Sequence, residues 1–298
     1  MTTPAIDVAV AIVRDDRGRV LMAERTARQV SAGFWELPGG KIDAGETAAD
    51  AAARELAEET GLRAERLVAW RVHEHAFPLR RVRLHLFRVL AWSGQPHGHE
   101  SQRLAWVDPA DPAVAPVLPS NLLPLAALAW PAVLPVLRLS RAADLSWPTL
   151  PWAAGLRLWL LAAPALAPTQ RVQLARRLRE ALREAGARVL LEGSPLEALR
   201  AGASGLYSPA QALNALSARP TAQLWLAGCR DETDLERAHR LGADAAVVDV
   251  GGDWSRLARL AAGTPLALYA GGAATPDEAA RALACGGAGV AASVPVCA

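Results

Sequence analysis

The feature that most constrains this chain is RELAEETGL, residues 54–62. Glu55, Glu58 and Glu59 stand at i, i+3 and i+4 on a segment otherwise made largely of alanine and leucine. A helix puts residues at these spacings on one face, about a turn apart. The helical signal runs over 47–59, with Thr47 and Asp50 as a capping start and Gly61 as the stop. Three carboxylates on one helical face repel one another, so the segment demands a neutralising cation. The stretch upstream, GGKIDAGETAADAAA, adds Gly39, Gly40 and Glu46.

The chemistry follows from the residue types. Hard divalent ions such as Mg2+ prefer oxygen ligands, keep several waters and pair with substrate phosphates. Gly39 and Gly40 allow a close backbone turn before the helix, and Gly39 could offer a carbonyl ligand. Arg54 could pair with Glu46 and hold the loop against the helix. The competing reading is a solvated acidic helix face.

The rest of the composition excludes more than it assigns. A length of 298 residues suits about two domains, and 52% hydrophobic content is enough for two cores. The 32 basic residues, almost all arginine, are scattered and leave a net charge of +2, so no nucleic-acid partner is expected. Cys229, Cys285 and Cys297 lack metal-type spacing and form no disulfide framework. The first residues lack a signal-peptide pattern, and a reducing cytoplasm fits. Residues 113–137 carry no charge, but Pro116, Pro119, Pro124, Pro131 and Pro135 oppose a membrane-spanning helix. Buried irregular packing and a short helix are expected there.

Two textures divide the chain. IDVAVAIVRDDRGRVLMAER reads as two strands around a turn, LVAWRVHEHAF and RVRLHLFRVLAW as two more, and LAWVDP as a short fifth. His73, His75 and His85 fall on these strands, where a histidine is expected to face solvent or to be satisfied in the core. The Pro- and Trp-rich stretch that follows suggests a linker over 138–155. Beyond it, short apolar strands alternate with helical stretches, which implies a parallel sheet wrapped by helices. A (β/α)8-type barrel is the natural closed form. Only about seven strands are legible, which leaves open whether the barrel is complete or one βα unit is shortened or lost.

The first half resembles the Nudix family. Gly40, Glu46, Arg54, Glu55, Leu56, Glu58, Glu59, Gly61 and Leu62 match every specified position of the Nudix box, G-x5-E-x7-R-E-U-x-E-E-x-G-U with U aliphatic. The resemblance covers about residues 5–137 and sharpens toward MutT-like oxidised-nucleotide diphosphatases. It implies an α/β/α sandwich with a mixed sheet and a domain over 1–137. It implies Mg2+, with Mn2+ as an alternative, bound by Gly39, Glu55, Glu58, Glu59 and Glu100, with Arg54 and Glu46 completing the catalytic set. It also implies a nucleoside triphosphate as substrate, Arg25 on the phosphates, Phe77 stacked on the base or filling the core, and Asn121 reading the base. One carboxamide can accept from N7–H and donate to O6 of a guanine oxidised at C8. As a residue in its own right, Asn121 could equally cap the helix that follows it.

The second half, a domain over 156–298, resembles the thiamine monophosphate synthase/TenI family of barrels over about residues 156–295. LRAGASGLYSPAQAL, HRLGADAAVVDVG and LALYAGGAATPDEAARALACGGAGVAA carry the likeness. It implies phosphate binding at Gly271 and Gly272. Tyr207 replaces the family's histidine, and Glu192-Gly193 replaces an Asn-Asp pair, so synthase activity is not expected. The leading expectation is therefore hydrolysis of 8-oxo-dGTP to its monophosphate and pyrophosphate. The alternative is hydrolysis of another nucleotide or of a thiamine-related diphosphate, with the barrel as a non-catalytic ligand- or partner-binding module.

Overall fold

The computed structural model describes residues 5–99, 102–141, 156–272 and 275–294. The chain forms two compact units, Met1–Ala129 and Trp130–Ala298.

The first unit is built on a four-stranded mixed sheet. Its strands are β1 (Ile6–Val13), β4 (Gly39–Lys41), β5 (Arg63–Phe77) and β6 (Arg80–Ser93), in the order β4-β1-β6-β5. A smaller antiparallel sheet has the order β3 (Trp35–Glu36), β2 (Val20–Glu24), β7 (Leu104–Val107). Helix α1 (Ala48–Thr60) begins where the sequence predicts: the Thr47 hydroxyl accepts from Asp50 N at 3.2 Å. It ends at Gly61, whose φ of 72° is the left-handed cap that glycine adopts without strain. Ala51, Ala52 and Leu56 of α1 pack with Ala9, Ala11 and Val89 of the sheet. Leu56 is fully buried, so truncation to alanine costs about 2–5 kcal/mol. On the other sheet face Val10, Ile12, Leu84 and Leu86 meet Leu125 and Leu128 of α2 (Pro119–Leu128). This is the expected sandwich. Leu118 is the N-cap of α2, so Asn121, its third residue, does not cap it.

The second unit is a closed barrel of eight parallel strands. They are β8 (Val133–Arg138), β9 (Leu158–Ala162), β10 (Arg188–Glu192), β11 (Gly205–Ser208), β12 (Leu224–Cys229), β13 (Ala245–Asp249), β14 (Ala267–Gly271) and β15 (Gly289–Val294). The helices between them are α3 (Pro168–Ala181), α4 (Pro195–Ala201), α5 (Ala210–Leu213), α6 (Glu232–Arg240), α7 (Trp254–Ala262) and α8 (Ala279–Ala284). Leu134, Val136, Leu160, Leu190, Leu226 and Tyr269 fill the interior.

The barrel is closed by all eight strands, and the strand not legible in the sequence is the first, β8, which begins inside the stretch assigned to the first domain. One expectation, the domain boundary, is corrected by this. The boundary therefore falls at Ala129/Trp130 and not at 137/138. Pro135 hid the strand, because a proline within a strand removes a ladder donor. It stands opposite Ala292 of β15, and pairing with β9 begins one residue later, at Val136. Of the expected linker over 138–155, residues 142–155 lie outside the described residues. Among the described residues no helix is long and apolar enough to cross a membrane.

Candidate active site

Arg54 is the hub of the acidic face. Its Nε and Nη2 each donate to Glu46 at 2.9 Å, and its Nη1 donates to Glu55 at 2.9 Å and Glu58 at 3.1 Å. Nη2 also donates to Lys41 O at 3.2 Å, which ties the helix to the end of β4. Hydrogen bonding to Arg54 holds the Glu46 carboxyl below its ordinary range, and pairing with Glu46 and Glu55 raises Arg54 in turn. Glu55 moves the other way: burial raises it and Arg54 only partly offsets that.

The two glycines before the helix have steric reasons to be glycine. A Cβ on Gly40 would lie 2.1 Å from Glu55 Oε1, and one on Gly39 would lie 2.2 Å from Ala9 O. Gly39 N donates to Glu59 Oε2 at 3.1 Å. Glu59 is 7% exposed, whereas the Glu58 side chain is 56% exposed. The carbonyl of Glu59 accepts from His99 N and from the buried Gln102 side chain, at 3.2 and 2.9 Å. Gln102 and His99 were not singled out from the sequence; their spacing carries no motif. Glu100, expected among the metal ligands, lies outside the described residues.

Among the described residues no three carboxylate, imidazole or thiol groups converge as a ready-made metal cage, because Arg54 occupies the middle of the group. The donor set is nevertheless all oxygen, and Gly40 leaves the Glu55 carboxylate open to the turn. Those features fit a hard divalent cation and not a soft one.

Arg25 is joined to a residue the sequence reading passed over. Its Nη1 donates to both oxygens of Glu36, at 2.5 and 2.6 Å, and its Nε donates to Val30 O at 2.6 Å. Glu36 is 9% exposed, and burial raises its carboxyl despite Arg25. The negative charge of Glu55 raises it further, so Glu36 borders the acidic face. A cavity of about 1060 Å³ lies beside this pair, with Arg25, Arg28, Gln29, His99 and Gln102 on its walls.

Asn121 is buried, and its Oδ1 accepts from Leu37 N at 2.9 Å. That backbone donor fixes which way the amide faces. Its Nδ2 donates to Ser120 Oγ at 3.2 Å. These two bonds leave one lone pair and one amide hydrogen of the group unused. Phe77 packs partly against the core beneath α2, with the His75 ring edge-on at 4.6 Å. His85 is satisfied by Asp7 at 2.8 Å, as expected of a strand histidine. His73 departs from that expectation: its Nε2 is buried with no partner.

In the barrel, Gly271 ends β14 and Gly272 follows it. A Cβ on Gly272, where φ is 84°, would lie 2.3 Å from Asp249 Oδ1, and one on Gly271 would lie 2.7 Å from Val247 Cγ1. Close packing by itself requires both glycines. Tyr207 and Cys229, at strand ends nearby in the chain order, are both pushed up to about 12 by burial.

Comparison with known proteins agrees with this geometry. The NUDIX domain family matches residues 4–127. The CTP pyrophosphohydrolase of Escherichia coli is 34% identical over 117 residues, 39% of this chain and 86% of that protein. The 8-oxo-dGTP diphosphatase of the same organism is 34% identical over 120 residues, 38% of this chain and 93% of that protein. Among solved structures, a thiamine phosphate pyrophosphorylase from Pyrococcus furiosus aligns with 54% of this chain and 85% of its own, at 16% identity and a TM-score of 0.44. The Arg54-centred glutamates, the two glycines against them and these relatives lead to one conclusion: the chain belongs to the Nudix hydrolase family, whose members act on phosphorus anhydrides.

Proposed function

We propose that the first unit is a Mg2+-dependent pyrophosphohydrolase whose substrate is 8-oxo-dGTP, cleaved to 8-oxo-dGMP and pyrophosphate. The observation that carries the reading is Asn121, a buried carboxamide whose orientation is fixed by Leu37 N. Its remaining lone pair can accept from N7–H of the oxidised base, and its remaining hydrogen can donate to O6. Unmodified guanine would set a lone pair against that oxygen, a mismatch a buried site rejects strongly.

Glu55, Glu58 and Glu59, with the Gly39 carbonyl and Glu100, would hold Mg2+ or Mn2+. The ion when bound would polarise the phosphates and stabilise charge on the leaving group. The chain's own groups do the rest. Arg54 aligns Glu46, Glu55 and Glu58 at hydrogen-bond distance. Glu55, raised by burial, is a stronger base toward water than an exposed glutamate. Arg25 and Arg28 on the cavity wall offer positive charge to a polyphosphate, and Phe77 offers a ring to the base. The barrel is a ligand- or partner-binding module without catalysis, with Gly271 and Gly272 as its phosphate cradle.

A second reading, another nucleotide such as CTP, draws equal support from the 34% identity to the CTP pyrophosphohydrolase. Hydrolysis rates for 8-oxo-dGTP, dGTP and CTP with Mg2+, in wild type and Asn121→Ala, separate the two. The first reading expects a strong preference for 8-oxo-dGTP that collapses in the variant. A preference for CTP, or one indifferent to Asn121, would overturn it.

A further inference from the structure

Strand β5 carries its polarity the wrong way round. Along RVHEHAF, residues 71–77, the half-buried positions are Arg71, His73, His75 and Phe77, and the exposed ones are Val72, Glu74 and Ala76. Val72 is 52% exposed, while the Nε and Nη2 atoms of Arg71 and the Nε2 of His73 are buried. These three are the only buried side-chain nitrogens or oxygens without a hydrogen-bond partner among the described residues. Leaving donors of this kind unpaired costs free energy, more so on a cation. Each such exception calls for an explanation, and a ligand-binding role is one.

Register shows what this face looks toward. Arg71 pairs with Leu86, which pairs with Val10, which pairs with Gly39. His73 continues through Leu84 and Val8 to Lys41, and His75 through Val82 to Ile6. Residues in register point to the same side, so the four β5 side chains rise from the face that carries Val8, Val10, Leu84 and Leu86. Ile6, Val8 and Phe77 on this face are only partly covered. The glycines beside the acidic helix stand at the β4 edge, and Arg71 stands at the β5 edge, three strand spacings or roughly 14 Å away. The His73 and His75 ring centroids lie 6.4 Å apart, and the Arg71 guanidinium carbon sits 3.9 Å from the Trp70 ring centre. Val10, Leu84 and Leu86 are covered by α2, so a substrate with its phosphates at the β4 edge would bring its base over the partly open rim of Ile6, Val8 and Phe77.

We propose that Arg71 and His73 are specificity-determining residues, whose unpaired nitrogens bind a keto oxygen on the base where adenine and cytosine carry an amino group. The assignment rests on the nucleotide-hydrolase reading above. Arginine only donates, so an exocyclic amino group would bring donors face to face. Burial, with the nearby His75 and Arg71, lowers the pKa of His73 and favours the neutral ring, whose Nε2–H tautomer is the one the proposal assigns as donor. The ligand class is thus a 6-keto purine or 4-keto pyrimidine nucleotide.

The test is kcat and KM for 8-oxo-dGTP, dGTP, dATP and dCTP with Mg2+, together with melting temperature, in wild type, Arg71→Met and His73→Phe. Loss of the charged hydrogen bond to the keto oxygen should raise KM for the keto substrates about tenfold to hundredfold with kcat little changed, and leave dATP and dCTP unaffected. Removing an unpaired buried cation should also raise the melting temperature of the unliganded protein. Unchanged selectivity, or a lowered melting temperature showing that Arg71 braces Trp70, would overturn the assignment. If Arg71→Met does not fold, His73→Phe decides on the same selectivity readout. A wild type inactive on all four nucleotides would instead sink the parent reading.

Discussion

Gly40 in the first unit and Gly272 in the barrel make the same local demand. Each lies so close to a carboxylate that a Cβ would stand 2.1 Å from Glu55 Oε1 in one case and 2.3 Å from Asp249 Oδ1 in the other. Their surroundings differ. Glu55 shares Arg54 with Glu46 and Glu58, and all four recur at fixed spacings along one loop and helix. Asp249 accepts from Gly251 N at 2.9 Å, two residues on, and so shapes its own turn. A glycine that serves a shared ion site is embedded in a pattern; one that serves a turn is not. The likeness of the two glycines therefore says little about function, and their neighbours say a great deal.

Gly40→Ala should have the largest effect. Displacing the Glu55 carboxylate by about an ångström should lower kcat on the order of 100-fold, with the barrel's melting transition unmoved. Gly272→Ala should do the reverse. Forcing alanine to a φ of 84° against Asp249 should destabilise the barrel by about 1–3 kcal/mol in a denaturant titration and leave hydrolysis intact. Equal loss of activity in both variants would break the comparison.

A smaller effect sharpens the structural side. Asp234 is the buried acceptor for Arg230 N and Nε, at 2.9 and 2.8 Å, and the Arg230 hydrogen bond lowers its carboxyl below the ordinary value. A depressed carboxylate contributes stability above its unfolded pKa, and that contribution disappears as pH falls through the folded value. Asp234→Asn should therefore cost the barrel about 1–2 kcal/mol at pH 7, and the gap to wild type should close below about pH 4. A gap that stays constant with pH would assign the effect to packing.

The same contrast explains what could be read in the sequence. The helix from Ala48 to Thr60, its Thr47 cap and its Gly61 stop were legible because capping and spacing are local rules. The Arg54–Glu46 pair was legible for the same reason. Strand β8 was not, because Pro135 breaks the usual strand signal and only the closure between β15 and β9 makes it a strand. Glu36 was missed because its partner Arg25 lies eleven residues back, across a loop with no fixed pattern. His73 was misread because strand alternation gives the two faces without saying which is covered. What the sequence concealed depended on tertiary packing and not on local rules.

The central claim is that the acidic face of α1 carries the chemistry. Its most direct test is the Mg2+-dependent kcat/KM for 8-oxo-dGTP in wild type and Glu59→Gln, with thermal unfolding of both recorded alongside. Gln retains an oxygen for Gly39 N but loses the charge. The account predicts an active wild type and a variant reduced at least about 100-fold with its melting transition kept. A folded Glu59→Gln enzyme with wild-type kcat/KM would contradict it.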